Sequence, residues 1–338
     1  MKNQYTGEYG KALYALTFAD PVESEHLFSL LDGLPLAIAQ AGAFLRESGV
    51  GIGTYIQFYE QQCKELMEPK DETEDETYAP LQDYPGRSVW TTWAISYNAV
   101  REKDEATATF LLLWSFLDNK NLWHGLFSAA CKASATTARR LSEWIGDMAS
   151  NELKFAQAMQ LLQNYSLLEE VENLASYATH PVVHKWARDY QGQKYGREIA
   201  RLAVEVVGFA VPGGSRREYS TLQRRLLPHA QACSQLVAVD ELWRSIHSHD
   251  GCESDSDRTG EKEVLLSAAN NLGTLYEEQG KLGEAERMYG RALRGYGEVL
   301  GPKHKLMLAI IGNLGNLYSG QDKLGEAEKV YVRALQGY

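Results

Sequence analysis

The chain has 338 residues, of which 44% are hydrophobic and 23% are charged, so it is long enough and apolar enough to bury a substantial core. Its formal net charge of −11 argues against nucleic acid as the main partner, because phosphate binding needs a concentrated basic surface. No apolar run approaches the roughly 18 residues of a membrane span, and the first residues lack the charged-then-apolar pattern of a signal peptide. We therefore expect no membrane partner and a cytoplasmic location.

Residues 1–67 are predicted to form a helical segment. Leu27, Leu30 and Leu31 recur at helical spacing, and the run "DGLP" interrupts them. The run "PLAIAQAGAFLRE" restarts the pattern with Pro35 at a helix start, where its missing N–H is harmless. The next residues, 68–86, are acidic and contain prolines, which predicts an exposed linker.

Residues 87–195 are predicted to form a winged-helix domain. We expect Trp90, Trp93 and Trp114 to lie in its core. The run "ATATFLLLWSFLD" suits a buried helix better than a magnesium-holding strand, because nothing upstream supplies phosphate ligands. Two short alternating runs around a turn at Asn173 predict a small β-hairpin. The segment lacks a basic recognition helix, which disfavours the alternative of DNA binding.

Residues 196–246 are predicted to be helical, and they include a degenerate helix pair that lies under the repeats. Residues 247–262 are polar and rich in turn formers, which predicts a second linker. The run "HSHDGC" within it offers three metal-ligating side chains, but no fourth ligand has a recognisable spacing, so we favour a solvated loop over a zinc site. The four cysteines are scattered without a CxxC pair, which is typical of reduced thiols.

Residues 263–338 contain an internal repeat. The stretch "NNLGTLYEEQGKLGEAERMYGRAL" (Asn270–Leu293) is closely copied by "GNLGNLYSGQDKLGEAEKVYVRAL" (Gly312–Leu335), at an offset of 312 − 270 = 42 residues. This pattern resembles tetratricopeptide repeats, and the 42-residue form with "LGPKH" at the junction resembles those of kinesin light chain. Because roughly three units make a stable stack, we expect a truncated second repeat of a longer array.

The first helix of each repeat would line a groove for a protein or peptide partner. The candidate contact residues are Asn270, Asn271, Thr274, Asn313 and Asn316. A side-chain amide both donates and accepts, which suits the backbone of an extended peptide. The alternative is that Asn271 and Asn313 only tie adjacent helices together.

Other segments resemble the nucleotide-binding switch proteins of the NB-ARC class, particularly fungal ones that end in tetratricopeptide repeats. The run "GLPLA" (Gly33–Ala37) matches the motif of that name, and "THPVVHKWARD" (Thr179–Asp189) is similar to the MHD motif, with Thr179 and Pro181 replacing its Met and Asp. The resemblance implies an ARC-like helical segment, and it implies vestigial nucleotide contacts for Pro35 and His180.

No GxxxxGK[ST] string occurs in the sequence, so the phosphate cradle of a nucleotide hydrolase is missing. We therefore predict a mainly α, non-catalytic interaction scaffold, which would be the regulatory and ligand-sensing portion of such a switch. We expect no cofactor, and ADP or ATP would bind only if a P-loop domain lies upstream. One alternative is a cargo adaptor like kinesin light chain, although heptads are lacking. The other is a fragment of a nucleotide-hydrolysing, NLR-like ATPase. The chain could also form oligomers with copies of itself.

Overall fold

The computed structural model describes residues 21–65, 87–171, 176–190, 192–212, 220–238, 255–299 and 304–337. The predicted linker 68–86 and the "HSHDGC" run lie outside these residues. The first helices are α1 (Pro21–Leu30), α2 (Pro35–Ser48), α3 (Ile52–Glu65), α4 (Arg87–Lys103), α5 (Glu105–Trp114), α6 (His124–Ala133), α7 (Ala135–Ile145) and α8 (Glu152–Asn164). The later ones are α9 (Pro181–Asp189), α10 (Gly192–Ala210), α11 (Ser220–Ala238), α12 (Asp255–Glu278), α13 (Leu282–Val299), α14 (Lys305–Gly320) and α15 (Leu324–Gly337).

A two-stranded antiparallel sheet accompanies the helices. Strand β1 (Glu169–Val171) pairs with β2 (Ser176–Ala178), with Glu170 opposite Tyr177. The predicted hairpin is therefore confirmed, while its turn residue Asn173 lies outside the described residues. The prediction of a mainly α fold is confirmed as well.

Helix starts follow local signals in the sequence. Helix α2 begins at Pro35, as predicted, and ends at Ser48. The next residue, Gly49, caps it with a left-handed backbone (φ 70°) and donates its N–H to Leu45 O. Helix α7 is capped by Ser134, whose Oγ accepts from Thr137 N at 3.2 Å. A proline in the first turn of a helix and a glycine after its last turn can both be recognised in the sequence.

The chain divides into two compact units. The first comprises Met1–Thr109 and Ala156–Trp186, and the second comprises Phe110–Phe155 and Ala187–Tyr338. The predicted winged-helix segment 87–195 contributes residues to both. Its boundaries, like those of the other predicted domains, stay predictions.

The first unit is built around α4, which packs against α2 and α3, while α1 packs against α3. Trp93 is fully buried, and its ring centroid lies 6.1 Å from that of Trp186. Of the three tryptophans expected in a core, Trp93 and Trp114 are buried and Trp90 is half-buried.

The second unit is organised around α10, which packs against α6, α7, α11 and α12. A Cβ atom on Gly208 of α10 would lie 2.6 Å from Ala268 Cα, so α10 and α12 approach closely because one of them carries a glycine there. Helix α12 begins at Asp255. The last part of the predicted linker 247–262 is thus helical.

A buried charge network joins three helices of the second unit. Arg140 of α7 and Arg201 of α10 both donate to Glu205 Oε1, the second at 3.3 Å. Arg201 also bonds Glu261 of α12 at 3.1 Å, and Arg140 bonds Glu198 at the same distance. Burial raises the pKa of Glu205, and the two guanidinium groups oppose this shift. Each buried charge is therefore compensated by an opposite one.

Candidate functional site

The two repeats form two helix pairs, α12 with α13 and α14 with α15. The first helices, α12 and α14, contact each other, and so do α13 and α14. The five predicted groove residues all lie on α12 and α14. The structure therefore brings them onto neighbouring helices, as the repeat pattern predicts.

Within each repeat, one glycine allows the close approach of a tyrosine ring. A Cβ atom on Gly273 would lie 2.6 Å from Tyr289 Cδ1, and one on Gly315 would overlap the ring of Tyr331 in the same way. Both distances are far below ordinary carbon contacts of about 3.5–4.0 Å. The conserved spacing of glycine and tyrosine between the two copies thus has a packing cause.

The tyrosine hydroxyl then ties the two helices of the repeat. The Tyr289 hydroxyl donates to Glu277 Oε2 at 2.8 Å and lies 3.2 Å from Thr274 Oγ1, and Tyr331 donates to Asn316 Oδ1 at 2.7 Å. Burial raises the pKa of the Tyr289 phenol, so it remains a donor. Two of the predicted groove residues are therefore engaged inside their own repeats.

A further amide contact joins the two repeats. Asn313 Nδ2 on α14 donates to Asn270 Oδ1 on α12 at 3.0 Å. The Tyr318 hydroxyl donates to Glu286 Oε1 of α13 at 2.9 Å. Asn313 therefore ties adjacent helices together, as the alternative interpretation proposed, and its partner is Asn270.

Asn271 differs from the other groove candidates. It is half-buried, and its side-chain amide has no hydrogen bond to another described residue. It stands next to Asn270, which still has its Nδ2 group beyond the bond to Asn313. Asn270 and Asn271, both on α12, therefore offer donors and acceptors to a peptide backbone.

The first unit contains a pocket of about 280 Å³ that brings the two motif regions together. Its lining includes Leu36 beside the exposed Pro35, and His180 of the MHD-like segment. Burial lowers the pKa of His180, and Glu169 on the same pocket wall partly opposes this shift. His180 Nδ1 accepts from the backbone N–H two residues on, at 3.3 Å.

Sequence reasoning missed Gln40, which is buried at the wall of this pocket. Its Nε2 donates to Ser96 Oγ at 2.9 Å and to the backbone oxygen of Tyr165, while Oε1 has no hydrogen-bond partner among the described residues. Arg46 also lines the pocket. The only signal in the sequence was a glutamine within the otherwise apolar run "AIAQAGA". A polar residue in such a run is expected to be buried, and buried polar groups normally have hydrogen-bond partners.

The described part of the chain lacks two other kinds of functional feature. It holds no cluster of three His, Cys, Asp or Glu side chains that could bind a metal ion. Its helices are too short or too polar to cross a bilayer.

The chain is similar to two groups of known proteins. Residues 264–338 match the tetratricopeptide repeat family. The chain is 25% identical over 289 residues to a protein described as "Nucleotide-binding leucine-rich repeat (NLR)-like protein" from Hyaloscypha variabilis, with 83% of this chain aligned. The alignment spans 25% of that relative's length. No solved structure matches the chain. The matches confirm the resemblance to an NLR-like fungal protein with tetratricopeptide repeats.

Proposed function

We propose that the chain is a non-catalytic scaffold that binds an extended segment of a partner protein across α12 and α14. The observation that carries this proposal is the side-chain amide of Asn271, which is half-buried and makes no hydrogen bond to another residue that the structure describes. An amide that stabilises neither helix leaves its donor and acceptor for a ligand. The match of residues 264–338 to the tetratricopeptide repeat family supports the same conclusion.

Single substitutions separate binding from folding. We expect Asn271→Ala to weaken binding to peptides selected from a random library by about two- to tenfold, since one hydrogen bond contributes roughly 0.5–1.5 kcal/mol. Its melting temperature should stay unchanged. Asn313→Ala should instead lower the melting temperature, because it removes the bond to Asn270. If Asn271→Ala melts early and binds peptides as the wild type does, the groove function is wrong.

We also propose that this scaffold is the regulatory and ligand-sensing portion of a larger switch of the NB-ARC type. Support comes from the similarity to the NLR-like relative and from the pocket that holds both Leu36 and His180. In this proposal the chain gives an adenine nucleotide only edge contacts, because the GxxxxGK[ST] string that cradles phosphates does not occur in it. Calorimetric titration with ADP and ATP should show no tight binding, and micromolar affinity would contradict the proposal.

A further inference from the structure

The first unit has a second cavity, of about 390 Å³, whose lining includes Asp32, the residue directly before the GLPLA run. Its walls are the turn at Asp32, one face of α3 with Glu60, Cys63 and Lys64, and the start of α4 at Ser88. This volume falls within the range of about 300–1,000 Å³ that is typical of small-molecule sites. Its lining combines a thiol, a cation and two carboxylates.

An unsatisfied buried hydroxyl lies at this cavity. Ser88 is 2% exposed, and its Oγ has no hydrogen-bond partner among the described residues. A buried hydroxyl left without a partner costs free energy, so a polar group that enters the cavity would remove that cost. This observation is independent of the cysteine and indicates a ligand.

The cavity also favours negative charge at one end. Ser88 is the second residue of α4, where the first-turn N–H groups have no partner within the helix and the helix dipole is positive. Lys64 also lines the cavity and adds a cation, while Asp32 and Glu60 supply carboxylates. A ligand that carries both carboxylate and ammonium groups would match these walls.

The thiol lies within reach of such a ligand. Cys63 is half-buried, and its Sγ lies 3.3 Å from Thr91 Oγ1, so a neighbouring hydroxyl can donate to a thiolate formed there. The other described cysteines are less suited. Burial raises the pKa of the Cys131 thiol, and it raises the pKa of Cys233 to about 12.

We propose that Cys63 is a site of reversible modification by a charged low-molecular-weight disulfide, for which oxidised glutathione is the probe. The Cys63 thiol loses its proton, and the thiolate attacks one sulfur of the disulfide. A new S–S bond joins Cys63 to that half, the original S–S bond breaks, and the other half leaves as a thiolate that takes up the proton. No other oxidant is needed, and a thiol reverses the step.

The test uses the full chain with Cys252→Ser, which removes the cysteine outside the described residues. The protein is incubated with oxidised glutathione, and the modified cysteines are identified by peptide mapping over time. We expect Cys63 to be modified first, with Cys131 slower and Cys233 unmodified while the chain stays folded. Equal rates at Cys63 and Cys131 would overturn the proposal.

Charge selectivity shows whether the cavity takes part. The rate at Cys63 with oxidised glutathione, divided by the rate with the neutral 2-hydroxyethyl disulfide, should be higher in the folded chain than in the denatured chain. Lys64→Gln should lower this ratio about two- to fivefold, as expected for an exposed charge. Lys132→Gln, an exposed change on α6, should leave it unchanged. A ratio that is equal in folded and denatured chains, or insensitive to Lys64→Gln, would mean ordinary thiol exposure only.

Discussion

Replacing Gly273 by alanine tests the packing that defines the repeat. The added Cβ would lie 2.6 Å from Tyr289 Cδ1, about 1 Å inside an ordinary carbon contact. The ring has little freedom to retreat, because its hydroxyl is bonded to Thr274 and Glu277. The two helices must therefore separate or the ring must leave its rotamer, and such overpacking costs about 1–3 kcal/mol.

The same substitution elsewhere supplies the control. Gly290 lies inside α13, with nothing within 4 Å of the position of its Cβ. Gly290→Ala should stabilise by about 1 kcal/mol from helix propensity. Gly273→Ala gains the same propensity term, so the difference between the two variants isolates the steric cost. Their free energies of unfolding can be compared by urea denaturation, followed by circular dichroism.

A third variant assigns the cost to the ring. In a Tyr289→Leu background, Gly273→Ala should become neutral or stabilising, because the ring that it meets is gone. The reasoning would be refuted if Gly273→Ala in the wild-type chain were as stable as Gly290→Ala. It would also be refuted if the penalty of Gly273→Ala survived unchanged in the Tyr289→Leu background.

Three other predictions follow from the described contacts. Glu205→Gln should destabilise by about 3–5 kcal/mol, since it removes the buried carboxylate that Arg140 and Arg201 share and leaves each guanidinium group only a more exposed partner. The exposed Glu143→Gln should change little, and equal effects of the two substitutions in urea denaturation would contradict this reasoning. Gly280 (φ 71°) and Asp322 (φ 58°) lie in equivalent turns and both have a left-handed backbone, which a side chain disfavours. Gly280→Ala should therefore cost about 1 kcal/mol, and Asp322→Gly should stabilise the chain in thermal melts. An Asp322→Gly variant that is less stable than the wild type would show that Asp322 is not strained. Burial lowers the pKa of His180, so its contribution to stability is complete above its unfolded pKa of about 6.5 and is lost as the pH falls. His180→Gln should therefore reduce the loss of stability at low pH, measured by unfolding over a pH series. An unchanged pH dependence would contradict this prediction.

Local signals predicted the elements of this fold well, because they act over a few residues. Pro35 starts a helix, and the alternating runs beyond α8 form the hairpin. The start of α12 was missed, since "DSDRTGEK" is polar and reads as a loop. One anchor of that segment is the bond between Arg201 and Glu261, which lie on different helices. Such a tertiary contact outweighs composition and leaves no pattern in the local sequence.

The pocket of the first unit shows a different limit. Gln40 bonds the backbone oxygen of Tyr165, a residue 125 positions away. Periodicity describes which face of a helix is apolar, but it does not say which distant segment covers that face. The resemblance of two motifs to a known class pointed to Pro35 and His180, and the pocket is lined by His180 and by Leu36, the residue after Pro35.

The repeats show why identical residues in the two copies need not make the same hydrogen bonds. Asn271 and Asn313 are equivalent at the offset of 42 residues, yet only Asn313 has a repeat before it that presents Asn270. Before Asn271 stand α10 and α11, which pack against α12 but carry no matching asparagine in repeat register. Asn313 therefore bridges the repeats, whereas its equivalent Asn271 has no side-chain hydrogen bond to a residue that the structure describes. In the proposed scaffold, the place of Asn271 in the first of the two copies, rather than its identity, leaves its amide for a bound peptide.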